Sequence, residues 1–346
     1  MNIYFFEVED WEKIHLERKL KEKNLLDHKV EFVKAELEPQ NAHLYKDAEI
    51  ISVFIYSKIT KEVIDAMPNL KLIATRSAGY DHIDIDYATK KGIMVANVPE
   101  YGNNTVAEYT FALILALARK LKPLIQRIER GDFSREGLIG IDLLGKTIGI
   151  IGTGRIGANV ARIAHGFGMK ILAYDRTKKP ELIEKYGVEY VGLEELLTRS
   201  DVVTVHVPYN RSTKYLINRF NIKLMKLDAM LVNTSRGQVV EIEAVIEALR
   251  EGRLSGGVAL DTFEVEDVVV EEEYLKRNDL PAIKLKKALE SFYVLNQENV
   301  IVSPHMAYHT KEALTRILDT TVENIATFIK EGLPKYLVAG GSCTLQ

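Results

Sequence analysis

The segment Gly152-Thr153-Gly154-Arg155-Ile156-Gly157 constrains this chain more than any other, because of what stands on either side of it. A GxGxxG pattern alone is a common glycine-rich turn. Here the apolar run Ile148-Gly149-Ile150-Ile151 precedes it and reads as a buried strand; residues 156–167 read as a helix and residues 169–174 as a second strand ending at Asp175. In a β-α-β unit of this kind the first glycine makes the tight turn. The second lets the backbone approach a pyrophosphate, and the third lets helix and sheet pack closely. The helix N-terminus offers unpaired N–H groups and partial positive charge to the phosphates. An acidic residue about 20 positions further on can hydrogen-bond the ribose hydroxyls of an adenosine, and Asp175 has that place.

The chain has 346 residues, for which two domains are the default expectation. It is 47% apolar and 27% charged, enough for real cores, and a net charge of -3 gives no bias toward nucleic acid or anionic membranes. Cys343 is the only cysteine, so an intrachain disulfide is excluded and a reducing compartment is expected. Acidic residues enter at Glu7, Glu9 and Asp10, too early for a secretory signal peptide, and the longest apolar stretch, 111–118, is too short to span a bilayer. A cytoplasmic location is expected.

Two series of strand–helix alternation run along the chain. In the first, residues 2–6, 50–56, 72–75 and 93–97 are short β-rich runs separated by charged amphipathic stretches such as 10–23 and 84–91, as in a small parallel α/β domain. The second begins at the glycine turn and continues with strands at 201–207, 229–234, 257–261 and 300–303, giving six candidate strands in all, the number in a full dinucleotide-binding sheet. Helical stretches at 105–120 and 311–331 flank the second series. A chain that begins in one domain, completes a second and returns to the first explains both ends. The expected partition is therefore 1–101 with 302–346 for a discontinuous substrate domain and 102–301 for the dinucleotide domain.

Ligands of open parallel sheets bind outside the carboxyl ends of the strands, which turns scattered polar residues into one constellation. Arg236 follows the fourth strand of the second series, Asp261, Glu264 and Glu266 the fifth, and His305 the sixth. Arginine can hold a carboxylate bidentately and polarise an adjacent carbonyl. Histidine can pass a proton to or from a substrate oxygen, and a carboxylate beside it favours the imidazolium and fixes the ring. That equipment suits reversible oxidation of a 2-hydroxy acid to a 2-keto acid, with the dinucleotide exchanging the hydride. One of Glu264 and Glu266 is expected to be merely solvated. His305 and His309 have an i, i+4 spacing that suits a metal on a helix face, but no third ligand is evident and the chemistry needs none, so no metal is expected.

Several motifs in one order now resemble the D-2-hydroxyacid dehydrogenase family over nearly the whole chain. They are Arg76-Ser77-Ala78-Gly79-Tyr80-Asp81-His82-Ile83-Asp84, Val98-Pro99-Glu100-Tyr101 with Val106-Ala107-Glu108, the glycine turn, Asn233-Thr234-Ser235-Arg236-Gly237, Ala259-Leu260-Asp261-Thr262-Phe263-Glu264 and Ser303-Pro304-His305. The resemblance implies an α/β fold of two Rossmann-like domains with parallel sheets, the active site in the interdomain cleft, NAD as cofactor and a homodimer. It implies His305 as acid/base, Glu266 as its partner and Arg236 as the carbonyl-polarising clamp. By the same resemblance Asp261 contacts the nicotinamide carboxamide, the amides of Ala78 and Gly79 bind the substrate carboxylate, and His206, Val207 and Pro208, with Thr234 and Ser235, line the cofactor. An NAD-sensing corepressor-like binding protein shares these motifs, but the chain lacks long flanking disordered regions.

Within the family the chain is most similar to the D-lactate dehydrogenase branch. Asp267 stands where the family usually has proline, which keeps the choice between Glu264 and Glu266 open, and a long segment, 268–298, separates Glu266 from the last strand. Leu285, Leu289 and Phe292 give that segment an apolar helical face. Tyr101 and Tyr308, with Tyr56 as a third candidate, sit where that branch lines its substrate pocket with aromatics. The expected reaction is NADH-dependent reduction of pyruvate to D-lactate; the alternative is a broader enzyme acting on larger 2-keto acids.

Overall fold

A computed structural model describes residues 1–262 and 297–339. Glu264, Glu266, Asp267 and most of the 268–298 segment lie outside the described residues, as does the tail from 340. The chain forms two compact units, Met1–Tyr101 with Thr310–Gln346 and Gly102–His309. The second crossing falls later than the 301/302 boundary expected from the sequence. The reason is local: the turn after the last strand of the second unit is tied to Asp261, whose carbonyl accepts the His305 N–H at 2.8 Å.

In unit one, strands β1 (Asn2–Phe5), β2 (Lys29–Phe32), β3 (Ile50–Val53), β4 (Leu72–Thr75) and β5 (Met94–Ala96) pair in parallel in the order β2-β1-β3-β4-β5. β3 and β4 are buried at every position, as strands covered on both faces must be. β2 was not among the expected strands. It is an edge strand of alternating exposed and half-buried residues, and its Lys29 and Glu31 hide it among charged loop residues.

The described residues of unit two form a seven-stranded parallel sheet. Its strands are β6 (Thr147–Ile151), β7 (Lys170–Tyr174), β8 (Glu189–Tyr190), β9 (Val202–Val205), β10 (Met230–Asn233), β11 (Gly257–Leu260) and β12 (Val300–Val302). They lie in the order β8-β7-β6-β9-β10-β11-β12. The six expected strands are all present. The seventh, β8, has two residues, too short for any periodicity to register. The sheet reverses direction of growth beside β6, between β7 and β9, the point at which doubly wound sheets open a ligand crevice. The helix Asn103–Ala118 covers one face, burying Phe111, Ile114 and Leu117.

The chain then returns to unit one as the helix Lys311–Glu331. Thr310 caps its start by accepting the Ala313 N–H at 3.2 Å, and Gly332 ends it with φ +79°. Leu318, Val322, Ile325 and Phe328 repeat at helical spacing and pack on Ile3, Phe5, Ile50 and Leu72 of the sheet. A last strand, β13 (Leu337–Ala339), adds antiparallel to β5.

Candidate active site

The glycine turn of unit two has the geometry its composition demands. Gly152 has φ +93°, and a Cβ there would lie 2.7 Å from Val207 Cγ1 and 2.9 Å from the His206 carbonyl group. A Cβ on Gly157 would sit 1.9 Å from the Gly152 carbonyl oxygen, so this glycine brings helix and loop together. Gly154 is different: among the described residues nothing lies within 4 Å of its Cβ position, so it keeps space open rather than packing. The helix Arg155–Gly166 starts with no side-chain cap and no acidic residue in its first turn, which leaves its N-terminal amides to a ligand. This cradle fits a dinucleotide pyrophosphate, with Arg155 and Ile156 in the first turn.

Asp175 closes the cradle from the end of β7. Its carboxylate accepts the Thr153 N–H at 2.6 Å, the Thr153 hydroxyl at 3.1 Å and the Thr177 N–H at 3.1 Å. Burial pushes its pKa up, but these amide and hydroxyl donors outweigh it and hold the carboxyl below its ordinary value. Tyr190, on the unanticipated β8, bonds the Thr153 hydroxyl at 3.0 Å and accepts the Lys179 N–H at 3.1 Å. Thr153 and Tyr190 thus brace the turn. The first was legible as the variable position of the glycine motif; the second carried no signal.

Past β9, the His206 N–H donates to the Ile151 carbonyl at 2.8 Å and so locks this loop beside the glycine turn. Neither ring nitrogen of His206 has a hydrogen-bond partner among the described residues, and both are buried. Burial drives its pKa down to about 3, so the ring is neutral at physiological pH. His206, Val207 and Pro208 therefore present an uncharged wall.

The ends of β10, β11 and β12 bring the expected cation, carboxylate and histidine to one sheet edge. After β10, Asn233 Oδ1 accepts the Ser235 N–H at 3.0 Å and its Nδ2 donates to the Arg236 carbonyl at 2.9 Å, so the Thr234-Ser235-Arg236 turn is fixed from within. Thr234 pairs with Thr110 of the covering helix at 3.1 Å, and the half-buried Arg236 donates to the Ser235 carbonyl at 2.8 Å. After β11, Asp261 is 1% exposed and its carboxylate holds the next turn together. It accepts the Ser303 hydroxyl at 2.6 Å, the Met306 N–H at 2.8 Å and the Ala307 N–H at 2.9 Å. Burial raises its pKa, against the pull of those donors. Asp261 thus organises the His305 turn, a task the sequence did not disclose, and Tyr109 extends the network by hydrogen-bonding Ser303.

His305 itself has φ +51°, in the left-handed region that non-glycine residues enter at a cost. The hydrogen bonds of its N–H to Asp261 and Ser303 carbonyls, at 2.8 and 3.0 Å, hold it there. Tyr308 stands edge-on to its ring, with centroids 6.2 Å apart. His309 faces Tyr308 at 5.8 Å.

Unit one carries the other predicted residues. Ala78 and Gly79 follow β4, their carbonyls taken by Asn97 Nδ2 at 2.8 Å and by the Ser77 hydroxyl at 2.6 Å. Among the described residues no acceptor meets either amide, which suits an incoming carboxylate. Tyr56 is 51% exposed after β3, and the Tyr101 carbonyl accepts Arg316 Nε at 2.8 Å.

The model of the D-isomer specific 2-hydroxyacid dehydrogenase NAD-binding domain matches residues 111–307. A D-lactate dehydrogenase of Curvularia clavata is 39% identical over 307 residues, covering 88% of this chain and 85% of its own. A glyoxylate reductase of Thermococcus litoralis is 38% identical over 300 residues, covering 85% and 84%. Among solved structures, the D-lactate dehydrogenase of Aquifex aeolicus, in complex with NAD and lactic acid, is 38% identical with a TM-score of 0.88, covering 99% of this chain and 100% of that one. The relatives are enzymes, which sets aside the binding-protein reading. The glycine cradle, the polar edge of β10 to β12 and these likenesses agree: the chain is an NAD-binding oxidoreductase and belongs to the D-isomer-specific 2-hydroxyacid dehydrogenase family.

Proposed function

We propose that this chain reduces pyruvate to D-lactate and catalyses the reverse oxidation. Unit two is the cofactor domain of this reaction and unit one the substrate domain. NADH supplies the hydride to the keto carbon. Arg236 clamps the substrate carboxylate and polarises the carbonyl, and the amides of Ala78 and Gly79 hold the same carboxylate. His305 delivers the proton to the carbonyl oxygen, and Glu266, outside the described residues, is its partner. Asp261 contacts the nicotinamide carboxamide while it holds the histidine turn.

The observation that carries the substrate is Tyr308, whose ring stands 6.2 Å from that of His305. An aromatic ring beside the acid/base favours a small substrate side chain over a long one. Glyoxylate is the second reading, favoured by the likeness to glyoxylate reductases; a wall that limits size from above admits a smaller substrate. A steady-state series of 2-keto acids lengthened one methylene at a time, with chiral analysis of the product, tests this. Each methylene is worth ~1–3 kcal/mol, so pyruvate should lead a graded series, and Tyr308→Ala should shift the ranking toward longer acids. L-lactate as product, or strong turnover of phosphohydroxypyruvate with little of pyruvate, overturns the assignment.

The active form is a homodimer, and its support is a run of exposed apolar side chains in unit two: Leu121, Ile125, Ile128, Phe133, Ile139 and Leu144. Sedimentation of the purified protein should give twice the chain mass. A cytoplasmic location accords with the single cysteine.

A further inference from the structure

Two residues past the end of strand β1 in unit one stands a residue to which the reaction gives no role. Glu7 has φ +54°, a conformation that a non-glycine residue keeps only when its surroundings impose it. The Glu7 N–H donates to the Ala35 carbonyl at 3.2 Å. Its own carbonyl accepts Arg76 Nη2 at 2.8 Å, and the same nitrogen donates to the Phe6 carbonyl at 2.7 Å. Arg76 is 1% exposed, so this clamp is buried.

The turn aims the Glu7 carboxylate into the loop that follows β3. There it accepts the N–H groups of Phe54 at 2.7 Å, Tyr56 at 2.9 Å and Ser57 at 3.3 Å, and the Ser57 hydroxyl as well. Ser57 Oγ in turn accepts the Leu37 N–H at 2.9 Å. Backbone amides converging on one point make an anion-binding nest. This nest lies at the carboxyl edge between β1 and β3, where the sheet of unit one reverses its direction of growth and where such sheets take ligands.

We infer that Glu7 is a built-in anion that occupies this nest and, by fixing the 54–57 loop, sets the position of Tyr56 and with it the enzyme's keto-acid recognition. Glu7 is a positioning residue: it acts through Tyr56 and touches no reacting atom. The inference rests on the proposed reading, in which Tyr56 borders the keto acid. It carries a chemical consequence. With the carboxylate removed, the nest is vacant and takes a small carboxylate from solution.

The test uses full-length Glu7→Ala and Glu7→Gln, assayed with whichever 2-keto acid the unmodified enzyme reduces best. If that acid is glyoxylate, the pyruvate reading falls and the Glu7 test still runs. The keto-acid KM of Glu7→Ala should rise about 10-fold with a smaller change in kcat, since misplacing a substrate-bordering group costs up to about 100-fold. NADH affinity, read by fluorescence titration, should stay at the unmodified value, because its cradle is built wholly from unit two. Sodium formate should lower the raised KM of Glu7→Ala, whereas in the unmodified enzyme it leaves KM unchanged or raises it by competition. Glu7→Gln fills the space but turns an N–H₂ group toward amide donors, so it should show the same KM change without formate rescue. If Glu7→Ala does not fold, the KM change in Glu7→Gln decides. A keto-acid KM at the unmodified value in the variants that fold, an absent formate effect in folded Glu7→Ala, or a parallel loss of NADH affinity overturns the inference.

Discussion

Both units place a reversal of sheet growth beside their first strand, at β6/β9 in unit two and at β1/β3 in unit one, yet among the described residues only one of these edges is left vacant. In unit two the loop after the first strand carries Gly152 and Gly154, and the Cβ position of Gly154 has no atom within 4 Å. In unit one the matching place after β1 holds Glu7, whose carboxylate takes the amides of Phe54, Tyr56 and Ser57. Topology therefore provides the crevice in both, and side chains decide its use. Glycine leaves amides and space for a pyrophosphate; a glutamate at the same point turns a binding edge into a rigid support.

The proposed reading puts proton chemistry on unit two, so the most damaging change should fall there. Replacing His305 with Gln keeps a polar side chain but removes the titrating group, so kcat should drop roughly 10²–10⁴-fold. His309→Gln, whose ring packs on Tyr308, should keep most of the activity. Single-turnover reduction rates for the two variants separate them. Near-normal turnover by His305→Gln would remove the chemistry from the β12 edge and break the comparison at its root.

The next test compares two glycines of one turn. A Cβ at Gly157 meets the Gly152 carbonyl oxygen at 1.9 Å, so Gly157→Ala must displace backbone and should lower the melting temperature of unit two. Gly154→Ala meets nothing among the described residues and should melt like the unmodified chain. Its methyl group enters the space kept for the pyrophosphate, at a cost of ~1–3 kcal/mol, or roughly 10–100-fold in NADH affinity. If Gly154→Ala binds NADH with unchanged affinity, the vacancy at that edge is incidental.

The unequal use of glycine also explains how much the sequence revealed. The β-α-β unit of unit two was legible in full, because a tight turn, a close approach and a helix contact each demand glycine at a fixed spacing. The set of Arg236, Asp261 and His305 followed from strand ends alone, and they do gather at the edges of adjacent strands. The edge strands β2, β8 and β13 stayed hidden because they are short and carry exposed positions that erase the buried-strand pattern. The cluster of Glu7, Ser57 and Arg76 was invisible for a different reason. It joins residues 50 and 69 positions apart by bonds that each take a backbone group on one side, and backbone groups have no sequence signature. The organising role of Asp261 escaped in the same way, since two of its three partners are amides.

Asp175 offers the smallest effect and the sharpest reading of the cofactor edge. If Asp175 at the end of β7 reads the adenosine ribose, its charge repels a 2′-phosphate, so NADH should be preferred, with Arg176, Lys178 and Lys179 softening the repulsion into a preference. Hydrogen bonds from Thr153 and Thr177 outweigh burial and hold the carboxyl below its ordinary value. The stability it contributes is therefore fully present above the unfolded-state pKa of about 3.9 and is lost as pH falls through the lower folded value. The charge, and the preference for NADH, should accordingly persist across the whole neutral range. Asp175→Ala should narrow the NADH-to-NADPH ratio of kcat/KM by about 10-fold, the scale of ~1.4 kcal/mol. It also releases Thr153 from its brace, so NADH affinity itself should weaken modestly. Asp175→Asn separates the two effects, because it removes the charge while keeping an acceptor for the Thr153 amide. Its ratio should approach that of the alanine variant while its NADH affinity stays closer to the unmodified protein. Equal efficiency with both cofactors in the unmodified enzyme would show that Asp175 braces the glycine turn and does not read the ribose.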